Sequence, residues 1–497
     1  MHAPASLRAL RNVLGPGLDL RREWLAADLV AGLVLWSVVV PQAVAYAQIA
    51  GLPPAAGLLA APGALIGYAL LGTSRSLVVG ATTASAAVSA AAVAPLADGN
   101  AGHYAALSAA LALVSAVVLT VAGVLRLGGV FDLVSKPVMT GFLFGLGLTI
   151  AVGQLPKLFG VPGGTGNFFE KLWDLVRDLG EAQGWTVAVG AGSLILLVGL
   201  RRLWPALPAT LIVLVLGIGI SAALDLASRG VAVVGNLPSV FPDPSLPDVG
   251  WQDAVDLIPA AFGIMLVSAE GIGVTRALAA TGGYRVDTNR DLVALGGSNL
   301  LAGLSQGFVQ LGGSSQTAAV VRAGGKTQLA SLVGAVLVLL TGLFLAPFFE
   351  DLPEATLGAV VIVAVFGFFR VDELRRFERI RRGALVAALV ALVGVLALGV
   401  LPGLLVAAGL SLVVVVKRLS RPEVGLLARD PATGTWGRAD RHPAWEVPVE
   451  AVVVRVDGPL FYANASVVKE YILELVRTEG DRPRRSSSTR RTPTTST

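Results

Sequence analysis

Glu270 lies inside an otherwise apolar stretch, residues 260–275. An ionisable side chain in such a run is costly in lipid and marks an ion or proton path by default. Burial disfavours the charged form, so this carboxylate could take up a proton at neutral pH. Neighbouring hydroxyls could instead make it a sodium ligand, and an ion pair with Arg276 or a Ser/Thr cap would make it structural. Two further stretches carry polar chemistry in apolar surroundings: Gly80-Ala81-Thr82-Thr83-Ala84-Ser85 and Gly312-Gly313-Ser314-Ser315-Gln316-Thr317. Their glycines let the backbone stay extended and approach a ligand, and their hydroxyls satisfy polar groups that lipid cannot. If each opens a short helix near the middle of a membrane, two helix N-termini face each other there. Their free N–H groups and positive dipole ends would attract an anion. The same residue types also mediate close helix packing without binding anything; the matched placement of the pair favours the ligand reading.

The elements that must position these residues are membrane spans. The 497 residues are 54% hydrophobic and 14% charged, with mean hydropathy +0.74, against about 25% charged residues in an ordinary soluble domain. Runs of about 20 apolar residues, the length a spanning helix needs, or shorter runs buried among neighbours, fall near 28–48, 53–71, 77–95, 104–125, 131–153, 185–200, 206–223, 254–277, 288–304, 312–321, 327–347, 355–370, 384–400 and 402–417. Those at 77–95, 288–304 and 312–321 are weak by hydropathy alone. Charge placement tests the count independently. With the N-terminus inside, alternate loops collect Arg75, Arg126, Lys136, Arg201, Arg202, Arg276, Arg285, Arg290, Arg322, Lys326 and the cluster from Arg370 to Arg382. The opposite loops hold few cations and the acidic groups Asp243, Asp248, Asp253, Glu350, Asp351 and Glu354. This bias supports fourteen spans with both ends cytoplasmic. Seven plus seven spans place the second half in the opposite sense, an inverted repeat whose third segments are the two Gly/hydroxyl stretches.

Other chemistries find little support. The chain has no cysteine, hence no disulfide, thiolate metal site or thiol nucleophile. His2, His103 and His442 are too scattered for a metal centre, and Gly163-Gly164-Thr165-Gly166 lacks the Lys-Ser/Thr of a phosphate loop. Glu270 has no acidic or histidine partner within the spans, which speaks against an enzyme. The net charge of +5 sits mostly in short loops and reports topology, not nucleic acid. The Arg370 to Arg382 stretch reads as a cytoplasmic loop. No cofactor is expected, only a coupling ion, a proton or sodium.

Residues 27–80 carry Asp28-Leu29, Ala31-Gly32, Pro41-Gln42, Ala45-Tyr46-Ala47, Ala50-Gly51-Leu52-Pro53-Pro54 and Gly72-Thr73-Ser74-Arg75. A second block holds Glu270, Gly283-Tyr284-Arg285-Val286-Asp287, Asn289, Asn299 and Ser315-Gln316-Thr317-Ala318. On these motifs the chain resembles the sulfate permease (SulP) anion transporters. The resemblance implies a homodimer of subunits with a core and a gate domain, and a substrate site between spans 1, 3, 8 and 10. Carried over, Gln42 would donate its amide to an anion, Tyr46 would wall the pocket, and Ala81, Thr82, Gly313, Ser314 and Ser315 would supply backbone and hydroxyl donors. Many members have Arg where this chain has Gln316 and Pro where it has Ala81, so a fixed positive charge is missing here. Glu270 as a proton carrier would offset part of the anion's charge.

Residues 451–464 resemble the first strands of a STAS domain, whose remaining elements are absent. The expected organisation is a cytoplasmic segment 1–24, a transport domain 25–420, a linker 421–446, a partial STAS domain 447–480 and a disordered tail 481–497. The expected fold is thus an all-α membrane protein of fourteen spans with a C-terminal α/β fragment. The expected function is alternating-access transport of a small anion in a bacterial inner membrane, tilted toward proton-coupled dicarboxylate (fumarate) symport, with sulfate or bicarbonate as other substrates. Anion exchange, an anion channel and a nucleobase-type permease are the competing readings.

Overall fold

The computed structural model describes residues 17–18, 21–133, 135–164, 166–205, 207–235, 244–380, 382–420, 422–448, 451–458, 460 and 464–480. Arg8, Arg11, Asp243, Arg381, Phe461, Tyr462, Ala463 and the expected tail lie outside them. The described residues up to Ser411 form one compact unit, and those from Leu412 onward a second.

In chain order the helices of the first half are α1 (Leu25–Ile49), α2 (Pro54–Leu71), α3 (Thr83–Val93), α4 (Ala101–Val124), α5 (Lys136–Phe159), α6 (Phe168–Asp178), α7 (Gly184–Leu203) and α8 (Ala209–Leu224). The second half holds α9 (Trp251–Asp256), α10 (Ile258–Val267), α11 (Ala269–Gly282), α12 (Thr288–Leu304), α13 (Ser314–Arg322), α14 (Leu329–Leu340), α15 (Glu354–Val365), α16 (Val371–Ile380), α17 (Arg382–Leu398) and α18 (Val400–Leu419). Helices α9, α10 and α11 run on as one span, Trp251–Gly282; α6 is a short amphipathic helix outside the spans, and the amphipathic α16 continues the helical segment that begins with α15, Glu354–Arg379. Each of the fourteen apolar runs coincides with a helical segment. By length and composition nine of these segments can cross a membrane alone, and three more are shorter apolar helices, among them α3. The other two, α12 and α13, are runs weak in hydropathy.

Length explains the weakness. Helix α1 has 25 residues, about 38 Å at 1.5 Å per residue, enough for a hydrocarbon core of about 30 Å. Helices α3 and α13 have 11 and 9 residues, only about half a bilayer each. The chain completes these spans with extended backbone. Strand β1 (Val79–Gly80) pairs antiparallel with β2 (Leu311–Gly312), Val79 opposite Gly312 and Gly80 opposite Leu311. Extended backbone at membrane depth is tolerated only inside protein, and all four residues are buried.

Packing divides the transport unit into two groups of helices. One comprises α1, α2, α3, α4, α10, α12, α13 and α14; the other comprises α5, α7, α8, α15 and α17. Close approach rests on glycine: a Cβ on Gly57 of α2 would strike the Ala43 carbonyl of α1, and one on Gly141 of α5 the Ala388 carbonyl of α17. Two buried carboxylates pin the loops of the first group. Asp28 accepts from Lys326 N at 2.6 Å, Thr327 N at 3.0 Å and Thr327 Oγ1 at 2.6 Å. Asp291 accepts from Tyr68 Oη at 2.9 Å and from Thr73 N and Oγ1 at 2.8 Å each. Between the groups, Lys157 Nζ of α5 donates to Gln48 Oε1 of α1 at 2.9 Å. Outward faces stay apolar, as on Leu29, Val30 and Leu33 of α1 and Ile195 of α7, which suits a lipid surround.

The C-terminal unit is a three-stranded antiparallel sheet, β4-β3-β5, of β3 (Glu423–Arg429), β4 (Trp436–Arg438) and β5 (Val454–Asp457), followed by α19 (Ala465–Gly480). Of these elements, β5 and α19 fall within the stretch expected as a partial STAS domain, 447–480. The stretch 421–446, expected as a linker, carries two of the sheet's three strands, because β5 has β3 as its pairing partner. Within the Arg370 to Arg382 stretch, Val371–Ile380 is helical, its charges grouped on one face as in an interfacial helix.

Candidate functional site

Thr82 caps α3 through a reciprocal capping box. Ser85 N donates to Thr82 Oγ1 at 3.0 Å, and Thr82 N donates to Ser85 Oγ at 3.2 Å. The Thr82 hydroxyl, expected as a ligand donor, is therefore committed to the helix end, leaving the N–H groups of Thr83 and Ala84 as the first-turn donors without intrahelical acceptors. Helix α13 differs: it starts after Gly313 with no side-chain cap. Its first N–H groups, on Ser314, Ser315 and Gln316, keep their donor capacity. The strand pair fixes the two starts relative to each other, reinforced by Gly313 N donating to Val78 O at 2.9 Å and Val78 N to Thr317 Oγ1 at 3.0 Å.

A cavity of about 240 Å³ opens at this junction. Tyr46 of α1, Ala81 and Thr82 before α3, and Gly313, Ser314, Ser315 and Gln316 at the start of α13 line it, as does Glu270 of α11. The expected candidates from four separate spans thus converge. Gln42 sits behind the wall: its Nε2 donates to Ser315 Oγ at 3.3 Å and its Oε1 accepts from Gln316 Nε2 at 2.8 Å. Gln316 Nε2 also donates to Ala81 O at 3.1 Å. The Gln42 amide, expected to reach an anion directly, instead holds α1 to α13, and Gln316 ties spans one, three and ten together. Room for that carboxamide comes from missing side chains. A Cβ on Gly80 would lie 2.9 Å from Gln316 Oε1, and one on Gly313 2.6 Å.

Glu270 occupies the first turn of α11, just after a break at Ser268 between α10 and α11. Its Oε1 accepts from Ser314 Oγ at 3.1 Å. The Arg276 pairing considered from the sequence is not formed; that guanidinium donates to Thr288 Oγ1 at 3.1 and 3.2 Å. Gly271, beside Glu270, packs on β2, where a Cβ would lie 3.0 Å from Gly312 Cα. The carboxylate therefore rides on the element that meets the strand crossing.

The remaining wall was not foreseen. Ala364, Gly367, Phe368 and Arg370, from the end of α15 and the turn after it, close the cavity from the second helix group. Arg370 is near enough for its charge to act on Glu270. In the sequence it is one of six arginines between 370 and 382. Its single distinguishing mark is being the first cation after the apolar run. Among the described residues no cluster of His, Cys, Asp or Glu could hold a metal ion.

Comparison with known proteins places this geometry. Residues 25–410 match the Sulfate permease family. A probable sulfate transporter of Mycobacterium tuberculosis is 36% identical over 459 residues, covering 92% of this chain and 82% of its own. The chloroplastic sulfate transporter 4.1 of Arabidopsis thaliana is 29% identical, with 91% and 67% covered. Among solved structures, SLC26A9 superposes with a TM-score of 0.84 at 25% identity, covering 95% of this chain and 78% of that one. The transmembrane domain of the cyanobacterial bicarbonate transporter BicA shares the fold, with a TM-score of 0.70 at 21% identity over 78% of this chain and 98% of that one.

Proposed function

Because the chain belongs to the sulfate permease family of membrane anion transporters, we propose that it carries a small oxyanion, sulfate first, across a bacterial plasma membrane together with a proton held on Glu270. The observation that carries this reading is the uncapped start of α13, aimed into a cavity that Glu270 shares and reaches through Ser314. Backbone N–H groups at a helix N-terminus bind anions. A carboxylate beside that anion opposes it unless protonated, so anion and proton favour each other. The cavity lies between the two helix groups, so a shift of one against the other would expose it alternately to either side. The mycobacterial relative's name puts sulfate ahead of fumarate and bicarbonate.

The test is uptake of radiolabelled sulfate, fumarate and bicarbonate into proteoliposomes, with and without an inward proton gradient. Gradient-driven accumulation of one of them, abolished in a folded Glu270→Gln variant, is the expected outcome. Chloride current without accumulation of any anion would replace the reading with a channel. Accumulation equal in Glu270→Gln and parent would remove the proton from Glu270.

A further inference from the structure

Among the described residues, those lining the cavity include one cation, Arg370, one carboxylate, Glu270, and no other ionisable group except the Tyr46 phenol. Gln316 leaves α13 without a positive charge at its start, and its carboxamide is spent on Gln42 and Ala81. Among the described lining residues, a divalent oxyanion in this space would therefore find a full positive charge only on Arg370, which comes from the opposite helix group. Arg370 faces the Glu270 carboxylate across the cavity, with no ion pair between them within 4 Å. On its other side, Nη1 donates to Glu373 Oε1 at 3.4 Å. Glu373 is already bound to Lys136 Nζ of α5 at 3.1 Å and accepts from Thr140 Oγ1 at 3.1 Å, so its hold on Arg370 is partial. The other groups facing Glu270 are the Ser314 hydroxyl of α13 and Tyr46 of α1, and Tyr46 in turn feels Arg201 of α7.

We propose that Arg370 is the charge partner of the transported anion, and that ionised Glu270 competes with the anion for it, so that protonating Glu270 frees the guanidinium for the anion. The inference rests on the transport reading above and deepens it. With Glu270 ionised, the pair Glu270 and Arg370 is neutral overall and gives an anion little attraction. One proton converts the carboxylate to a neutral acid and leaves a net positive cavity. The anion then bridges the two helix groups, held by the α13 N–H groups on one side and by the guanidinium on the other. A guanidinium suits an oxyanion because two parallel N–H bonds can meet two oxygens.

The test is equilibrium binding of radiolabelled sulfate to the purified full-length chain as a function of pH, each variant first checked for a monodisperse, folded state. In the parent, affinity rises about tenfold per pH unit of acidification where Glu270 is ionised, the slope of one linked proton. Glu270→Gln binds sulfate at the parent's acidic-side affinity with no pH slope. Arg370→Gln binds about tenfold to a hundredfold more weakly at the acidic end, the loss of a charged hydrogen-bonding partner. Arg370→Lys preserves the charge and the folded state, and keeps the slope with most of the affinity. Glu373→Gln does not weaken binding. Parent-like affinity in Arg370→Gln overturns the proposal, as does loss of sulfate binding in Glu373→Gln, which would make Arg370 a prop for α16. A flat pH profile in Arg370→Lys overturns it too. A parent that binds none of sulfate, fumarate or bicarbonate would instead refute the transport reading itself.

Discussion

Gly313→Ala isolates what the strand crossing does for the cavity. The φ of Gly313 is −91°, open to any residue, so the substitution adds no backbone strain and acts only through the new methyl group. That methyl would sit 2.6 Å from Gln316 Oε1. Ordinary contact begins near 3.4 Å, so the carboxamide must retreat by about 0.8 Å. Moving it that far takes Nε2 off Gln42 Oε1 and Ala81 O, now at 2.8 and 3.1 Å. Two neutral hydrogen bonds contribute about 1 kcal/mol each, and a buried acceptor left without a donor adds to the loss, so the expected destabilisation is about 2–4 kcal/mol. The assay is a double-mutant cycle with Gln316→Ala, read by equilibrium unfolding in mixed micelles with a denaturing detergent. Once the Gln316 side chain is gone the new methyl has nothing to strike, so the double variant should be no less stable than Gln316→Ala alone. If the two substitutions instead add within about 0.5 kcal/mol, they are independent and the claim that glycine makes room for the carboxamide is wrong.

Asp28→Ala removes the acceptor of three donors, two of them on the buried Thr327; at about 1 kcal/mol or more for each orphaned buried group, a loss of at least about 2 kcal/mol is expected in the same unfolding assay, with Asp28→Asn milder because it keeps one acceptor oxygen. In the C-terminal unit, a side-chain hydrogen bond from Arg438 holds Asp440 below its ordinary pKa, and one from Arg455 does the same for Asp457. A depressed folded-state value stabilises above the unfolded one and is lost as pH falls through the folded one. The protection of amides in residues 423–448 and 451–457 of the full chain, corrected for the intrinsic pH dependence of exchange, should therefore stay constant at any pH well above 3.8, the ordinary aspartate value, and fall only below it. Both carboxylates are exposed, so added salt should shrink the effect; loss of protection already near neutral pH would rule out these pairs as the cause.

Hydropathy and charge alternation were enough to place fourteen spans, because lipid imposes its length and polarity on every segment that crosses it. The Gly/hydroxyl stretches at 80–85 and 312–317 were legible for a related reason. A segment too short to cross needs small, hydrogen-bonding residues where the helix gives way to strand. Glu270 stood out because a carboxylate in an apolar run is rare. What those residues do to one another was not legible. Thr82 and Gln42 look like free donors in the sequence, yet the capping box and the Ser315 contact consume them. Hydrogen-bond partners hundreds of positions apart leave no local trace. The strand at 423–429 escaped notice because its pairing partner lies at 454–457.

By itself, then, the sequence determined that the chain lives in a membrane, that its halves repeat in opposite senses, and which polar residues interrupt its apolar segments, since each of these is a property of a contiguous segment in a known solvent. Only the tertiary structure decided that β1 and β2 cross, that Gln316 is a tie between three spans, and that Arg370 faces Glu270. Arg370 makes the reason plain. Its neighbours in the chain are an apolar run and a charged helix, which describe a membrane edge. Its place in the cavity is set by how one helix group packs against the other.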